Sequence, residues 1–191
     1  MTPCQRFSQD QQAVLAGLVW QAIDAGLRGS AQPVPGGDGW LQGLAATFVT
    51  LHKDSDLRGC IGNLAASDGL GLSVVRNAHS AAFGDPRFGP VQSAELPRLT
   101  AEISVLRPML PLAVSSRIAL LAALRPGRDG LVVRGAGRSA TFLPAVWDEL
   151  PEPAAFVDHL WRKAGMAVGS WPVNIVLWTY QADKVAAPRP Q

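Results

Sequence analysis

Residues 56–64, DLRGCIGNL, bring a cysteine, an arginine and two glycines together at close spacing. Cys60 follows Arg58 by two positions, and Gly59 and Gly62 stand on either side of it. The segment is typical of a β-strand, in which glycine weakens the backbone and offers no side chain to pack. Such glycines are tolerated where another backbone or a ligand comes close. We therefore take Arg58, Gly59, Cys60 and Gly62 as a candidate site.

Strand alternation predicts which of these side chains share a face. Because neighbouring side chains point to opposite faces, we expect Leu57 and Ile61 to be buried together and Arg58 and Cys60 to share the other face. A nearby guanidinium favours thiolate over thiol, which makes the cysteine more nucleophilic. Two simpler interpretations stay open. Cys60 can be a small buried hydrophobe, and the glycines can mark a bulge or a tight barrel corner.

A nucleophilic cysteine usually has a histidine partner. A hairpin turn at KDSD places His52 opposite residue 56 or 57, about 10–13 Å along the strand from Cys60, so His52 is predicted to be a poor base for it. His79, on a predicted helix, is kept as a weak catalytic candidate, and His159 lies in the other half of the chain. A histidine on a helix is more often a satisfied core or surface residue than a catalyst.

A second unusual stretch is AAFGDPRFGP, residues 81–90. We expect Asp85 to cap the turn and Arg87 to project outward between Phe83 and Phe88, and both join the candidate binding residues. The prolines forbid continuation of the preceding helix. The alternative is a helix terminator with a hydrophobic clamp, which the sequence alone favours.

The elements that must position these residues follow from periodicity. Ser8 with Gln11 forms a capping-box pattern, and a helix is predicted over 8–26 with Gly26 as its stop. A hairpin, a helix that ends near Gly84 and a strand over 99–106 follow.

The second half repeats the order hairpin, helical region, strand, and ends in a polar tail. The two halves, over about 44–106 and 130–180, therefore suggest a duplication within a single domain. Antiparallel hairpins joined to helices predict an α+β fold with a largely antiparallel sheet.

Composition excludes several classes of protein. Hydrophobic residues make up 48% of the chain and charged residues 17%, as in globular proteins. Scattered basic residues and a net charge of +2 make nucleic acid an unexpected partner. No apolar stretch approaches the ~18 residues of a membrane span, and no secretory signal pattern is present, so we expect a cytoplasmic protein. No cysteine, histidine or carboxylate cluster has metal-ligand spacing, and the cofactor is unknown.

Taken together, these stretches resemble a known family. FVTLHKDSDLRGCIGNL, NAHSAAFGDPRFGP, EISVLRP, DGLVVRGAGRSATFLPAVWDELP and FVDHLWRKAG are similar to the AMMECR-type domain, named AmmeMemoRadiSam system protein A in bacteria and archaea. The hallmark LRGCIG stands unchanged at Leu57–Gly62. The resemblance runs from about Leu15 to Tyr180 and departs from the pattern mainly in 29–40 and 164–170.

The resemblance implies more about fold than about function. It implies an α+β protein with two unequal, intimately packed lobes around a curved, barrel-like sheet. It implies partnership with a Memo-like protein and a radical SAM protein. Because the family has no accepted catalytic residues, the hallmark residues are carried over only as a candidate site.

Two classes of function follow. In the first, the chain is an enzyme or an enzyme subunit: Cys60 is a thiolate nucleophile or thiol hydrogen donor, and Arg58 binds an anionic group of a small ligand. In the second, the glycine-lined face is a scaffold that docks a peptide or a partner protein, and Cys60 is only small.

Overall fold

The computed structural model describes residues 7–189. They form two compact units, one from the chain up to Leu106 with the segment from Asp183 onward, the other from Arg107–Ala182. Helices α1–α5 span Gln9–Arg28, Gly39–Gln42, Leu70–Phe83, Arg117–Ala123 and Pro153–Lys163, and 3₁₀ helices span Ser93–Arg98 and Pro144–Asp148. Strands β1–β10 span Leu44–Ala45, Thr47–Lys53, Asp56–Gly62, Asp68–Gly69, Leu99–Leu106, Leu110–Pro111, Gly130–Gly135, Arg138–Phe142, Val176–Tyr180 and Ala182–Ala187. Within this part of the chain, no helix has both the length and the apolar character needed to cross a membrane.

The predicted capping box at the start of α1 is confirmed. The Ser8 hydroxyl accepts the Gln11 N–H, and the Gln11 side chain accepts the Ser8 N–H. The predicted stop at Gly26 is wrong, because α1 continues to Arg28 and ends on Gly29 with φ 62°. Gly26 is instead a packing position: a Cβ there would lie 2.2 Å from the Phe83 ring of α3.

The first unit is built on a four-stranded sheet in the order β10-β5-β2-β3. Strand β2 pairs antiparallel with both β3 and β5. One face of β2 and β5 is largely apolar where it meets the helices, with Val49, Leu51, Ile103 and Val105 all at 0% exposure beside the buried Thr47. Burying such side chains stabilises the fold by roughly 1.5–3 kcal/mol each. The core of this unit therefore lies on one side of the sheet, and the other side is available for polar groups.

The second unit has its own sheet, in the order β6-β9-β7-β8. Strands β7 and β8 form the predicted hairpin, and β9 pairs antiparallel with β7. Its core gathers around Phe156, Leu160 and Trp161 of α5, with Phe156 stacked on Trp147 at 3.8 Å between ring centroids. The hairpin, helix and strand order predicted for both halves is thus present in each unit.

The predicted polar tail after Tyr180 is wrong in part. Residues Ala182–Ala187 form β10, which lies beside β5 in the first sheet. Val185 and Ala187 are each 1% exposed, and the Trp20 indole N–H donates to the Ala187 carbonyl at 2.9 Å. The short apolar alternation in ADKVAA is outweighed in the sequence by its charges, so only packing on α1 reveals the strand.

The α+β class with antiparallel sheets is confirmed. The barrel-like expectation needs a correction, because the sheets stay open and none closes into a barrel. Each four-stranded sheet has free outer strands, which must be protected from pairing with other chains.

Candidate functional site

A β-bulge in β3 reorganises the candidate site. Leu51 pairs with Gly59 and His52 pairs with Leu57, so Arg58 is an extra residue without a partner on β2. A bulge of this kind bends the strand and changes which side chains share a face. The alternative that a glycine marks a bulge is therefore confirmed for Gly59, whereas Gly62 pairs regularly with Phe48.

The bulge makes the predicted face assignment wrong at Leu57. Leu57 lies opposite His52, on the side of Cys60, and it is 42% exposed rather than buried. Ile61 alone packs against the core, opposite Val49. Alternation holds from Gly59 onward but is interrupted before it, because the extra residue shifts the phase by one.

Cys60 lies on a half-buried polar face of the first sheet. It pairs with Thr50, whose hydroxyl donates to the Cys60 Sγ at 3.3 Å, and Thr50 pairs on its other side with Glu102. We call Thr50, His52, Cys60 and Glu102 the Cys60 face. The thiol is neither sealed among apolar atoms nor without a polar neighbour.

The predicted separation of His52 from Cys60 is wrong, for the same reason. His52 pairs with Leu57 as expected, but Arg58 has no partner on β2, so the distance along the strand from Leu57 to Cys60 is shorter by one pairing position. Cys60 lies opposite Thr50, only two residues from His52 along β2. Such diagonal neighbours lie about 7–8 Å apart between Cα atoms, within reach of aromatic and long side chains. His52 is therefore the histidine nearest to the thiol on this face.

Atoms of the protein itself leave no room for a side chain at either Gly59 or Gly62. A Cβ on Gly59 would lie 2.1 Å from the Ala81 carbonyl oxygen of α3. A Cβ on Gly62 would lie 2.2 Å from the Phe48 ring and 2.4 Å from the Thr47 carbonyl oxygen. Helix α3 and strand β2 therefore occupy the space that the glycines open.

Asp85 and Arg87 cover the free edge of β3 at Cys60. The Cys60 N–H donates to Asp85 Oδ2 at 2.8 Å, and Arg87 Nη2 donates to the Cys60 carbonyl at 3.3 Å. These two side chains take the place of a neighbouring strand and block further pairing there. The predicted turn role of Asp85 is also present, since its Oδ1 accepts the Arg87 N–H at 3.1 Å.

Charge strengthens this edge cover. Asp85 is 4% exposed, and Arg87 binds it through Nε at 3.0 Å and Nη2 at 2.7 Å. The Arg87 guanidinium, opposed by burial and helped by the Cys60 and Arg87 N–H groups, holds the pKa of Asp85 well below its ordinary value. The same pair raises the pKa of Arg87, and the nearby Cys60 acts in the same direction. Arg87, rather than Arg58, is thus the cation attached to Cys60.

Arg58 turns toward the segment after α3. Its Nε and Nη2 both donate to the Glu95 carboxylate at 3.0 Å, and Nη2 also donates to the Gly89 carbonyl at 3.0 Å. The Phe88 ring lies 5.8 Å from the Arg58 guanidinium and 5.5 Å from that of Arg87. The Arg58 side chain is only 13% exposed. It fastens residues 88–95 to the bulge, and its charge already has an internal partner.

Glu95 receives a second cation. Lys53 Nζ donates to Glu95 Oε1 at 3.0 Å. The Arg58 hydrogen bonds, opposed by burial and assisted by the Gln92 N–H and by Lys53, lower the pKa of Glu95 to about 2. Glu95 therefore stays ionised and holds the start of the 3₁₀ helix against the hairpin.

His79 does not join this group. Its ring lies 5.0 Å from that of Phe83, one turn along α3, and its side chain makes no hydrogen bond within residues 7–189. The helix turns by about 200° between His79 and Ala81, whose carbonyl meets Gly59, so His79 points away from β3.

Thus the structure brings Arg58, Cys60, Asp85 and Arg87 into one connected network, as two separate stretches of sequence had suggested. It adds Thr50, His52, Phe88, Glu95 and Glu102, which sequence reasoning passed over or set aside. Gly59 was the only feature of the sequence that indicated the bulge, which brings His52 closer to Cys60. Nothing in SAELPR indicated that Glu95 would bind Arg58. Among the described residues, no three histidine, cysteine or carboxylate side chains are arranged to hold a metal ion.

Comparison with known proteins identifies the family to which the chain belongs. The sequence model of the AMMECR1 family matches residues 16–185, nearly the whole chain. The chain belongs to the AMMECR1 family. The segment Leu57–Gly62, the bulge and the edge cover all lie inside the matched range, so they are parts of the AMMECR1 domain.

Relatives of this AMMECR1 chain occur in archaea. A protein of Methanothermobacter thermautotrophicus is 37% identical over 163 residues, which cover 83% of this chain and 84% of that protein. A protein of Methanopyrus kandleri is 39% identical over 65% of this chain and 62% of its own length. The crystal structure of the uncharacterised protein PH0010 from Pyrococcus horikoshii is similar in fold, with a TM-score of 0.85 and 27% identity over 93% of this chain and 92% of that one.

Proposed function

We propose that this AMMECR1-family chain is an enzyme or an enzyme subunit in which Cys60 reacts, as a thiolate nucleophile or a thiol hydrogen donor. The observation that carries the proposal is the 3.3 Å hydrogen bond from Thr50 to the Cys60 sulfur, on a face that is only partly buried. A cysteine that serves only as packing is usually surrounded by apolar atoms.

His52 supplies the proton acceptor in the nucleophile version. It lies diagonal to Cys60 on the same face, and Thr50 stands between them. The thiol proton passes to the imidazole, and the sulfur forms a bond to an electrophilic carbon of the substrate as the bond from that carbon to the leaving group breaks. The imidazolium then returns the proton to the leaving group. The Asp85 and Arg87 contacts hold the Cys60 backbone still during that step.

The small anionic ligand that was predicted to bind Arg58 needs another cation, because Arg58 is already paired with Glu95. Glu95 occupies the Arg58 fork on two sides. Arg87 is more accessible, with 53% of its side chain exposed, although Asp85 holds one side of its guanidinium. An anionic group of the substrate is therefore assigned to Arg87 in this proposal.

Alkylation of Cys60 tests the chemistry. In a Cys4→Ser background, so that Cys60 is the one thiol left, we expect iodoacetamide to react several-fold more slowly with Thr50→Val and His52→Gln than with the parent. His159→Gln, in the second unit, is the matched histidine control and should leave the rate unchanged. Equal rates in all four proteins would remove the proposed activation.

The partner part of the proposal rests on the resemblance to AmmeMemoRadiSam system protein A. We propose that the chain acts in the cytoplasm together with a Memo-like protein and a radical SAM protein, a setting in which a hydrogen-donor thiol has a use. Cys60→Ser should then abolish the activity of the three-component system while the proteins still associate in a pull-down.

One observation favours a non-catalytic scaffold as the second candidate. Leu57 is 42% exposed beside the Cys60 face, at the tip of the hairpin, as a docking residue would be. The scaffold predicts that Leu57→Lys abolishes capture of the Memo-like protein and that Cys60→Ser leaves system activity intact. Ile118→Lys, at an exposed apolar residue of the second unit, is the control.

A further inference from the structure

A pocket of about 370 Å³ lies in the second unit. It is formed between the turn of the β7–β8 hairpin and the segment that follows α5, and its lining includes Arg138, Gly165, Met166, Ala167, Ser170 and Pro172. Its volume falls in the range of roughly 300–1,000 Å³ that small-molecule sites occupy.

Arg138 is the charged residue of this lining, and no carboxylate faces it there. Within residues 7–189 its side chain takes part in no hydrogen bond or ion pair. The guanidinium groups of Arg117 and Arg125 in the same unit bind Asp158 and Asp129 instead. The Arg138 guanidinium is therefore free to donate hydrogen bonds to an anionic ligand.

Gly165 holds the place for that guanidinium. Arg138 Nη1 lies 2.7 Å from the position that a Cβ of Gly165 would take. Gly165 has φ 69°, the left-handed region that favours glycine, directly after the end of α5. The turn thus lets the guanidinium lie against the backbone at the pocket without an acidic partner.

The other polar group of the pocket is already committed. The Ser170 hydroxyl donates to the Ala167 carbonyl at 2.6 Å. It therefore offers no free proton to a ligand, and recognition of a charge depends on Arg138. Met166, Ala167 and Pro172 supply an apolar wall beside it.

The net charge of the second unit also favours the binding of an anion. Residues 107–182 contain eight basic and five acidic side chains, a net charge of +3, whereas the rest of the chain has a net charge of −1. A local excess of positive charge raises the concentration of anions near the surface.

We propose that this pocket binds a small molecule that carries one oxyanion group, a carboxylate or a phosphate, on Arg138 and an apolar body against Met166 and Pro172. The planar guanidinium fork matches both kinds of oxyanion through two parallel hydrogen bonds. None of the residues that line this pocket belongs to the Cys60 face.

Binding of simple probes to the full chain tests the proposal. Benzoate and phenyl phosphate, followed through backbone amide NMR shifts, are expected to move the signals of residues 165–170, and uncharged benzamide is not. The tighter of the two anions identifies the preferred group. A charge-assisted pair contributes enough that Arg138→Gln should weaken the better probe by about tenfold or more.

Two further variants make the test specific. Arg162→Gln removes the same charge from α5 outside the pocket lining and should leave the affinity within about twofold of the parent. Ala167→Glu, at an exposed position, offers Arg138 an internal carboxylate and should abolish binding while the fold is kept. Probe binding that survives both Arg138→Gln and Ala167→Glu, or no shift with either anion, would overturn the proposal.

Discussion

The two hairpins of the molecule have the same place in their sheets but different outer strands. In the second unit, pairing runs without interruption from Leu131 with Phe142 to Gly135 with Arg138. In the first unit, the bulge at Arg58 interrupts the pairing of β2 with β3. One extra residue thus separates an ordinary hairpin from one that presents a cysteine, a histidine and a threonine together.

The arginines on the two outer strands differ in the same way. Arg58 is held by Glu95, and Arg87 with Asp85 covers the edge of β3. Arg138 on β8 has no such partner among the described residues. Arg58 and Arg87 therefore hold the backbone around the first hairpin, whereas Arg138 on the second hairpin is left free for binding.

The largest effect that can break this comparison is at Gly59. An added Cβ would lie 2.1 Å from the Ala81 carbonyl oxygen, so Gly59→Ala must push α3 from β3 and should cost at least ~3 kcal/mol of unfolding free energy. Gly135→Ala is the matched change in the second hairpin, where the nearest atoms lie at 3.5 Å, and should cost less than ~1 kcal/mol. Urea unfolding measures both, and similar values would contradict the close approach of α3.

A smaller difference is expected between the two arginines. Arg58→Gln leaves Glu95 without its two-point partner at 15% exposure and should cost about 2–4 kcal/mol. Arg138→Gln removes a side chain without a partner and should change stability by less than about 0.5 kcal/mol. Thermal unfolding of the two variants distinguishes them, and an equal loss would show that Arg138 has a structural role.

The smallest effect is a pH dependence confined to the first hairpin. Because the pKa of Glu95 is lowered to about 2 from 4.5, the unfolded chain binds the proton more readily than the folded one between these values. The contribution of Glu95 is therefore present above about pH 4.5 and is lost as the pH falls toward about 2. Glu95→Gln should reduce the fall in unfolding free energy between about pH 6 and pH 3 by about 2 kcal/mol. The exposed Glu149→Gln is the control and should leave that fall unchanged.

Much of the fold could be predicted from local patterns. The Ser8 capping box, the helix that ends at Gly84 and the strand Leu99–Leu106 are found as expected, because caps, prolines and apolar periodicity act over a few residues. The predictions of a helix end at Gly26 and of a polar tail in place of β10 are wrong. The states of Gly26 and β10 depend on Phe83 and α1, which are distant in sequence.

The candidate site was predictable as a set of residues but not as a geometry. The unusual composition of LRGCIG and GDPRFGP marked Arg58, Cys60, Asp85 and Arg87, and these side chains do meet. The predicted burial of Leu57 beside Ile61 and the long distance to His52 were wrong, because strand counting assumes regular pairing and a bulge shifts the count by one.

The amino-acid sequence by itself determined most of the helices and strands, the family and the pair of stretches that form the Cys60 region. Only the tertiary structure decided that His52 lies near Cys60, that Asp85 and Arg87 cover the β3 edge, and that Arg138 lies free over Gly165. The physical reason is the range of the forces involved. Backbone preference and apolar periodicity act between near neighbours in the chain, whereas register, edge protection and charge pairing depend on which distant segments the folded core brings together.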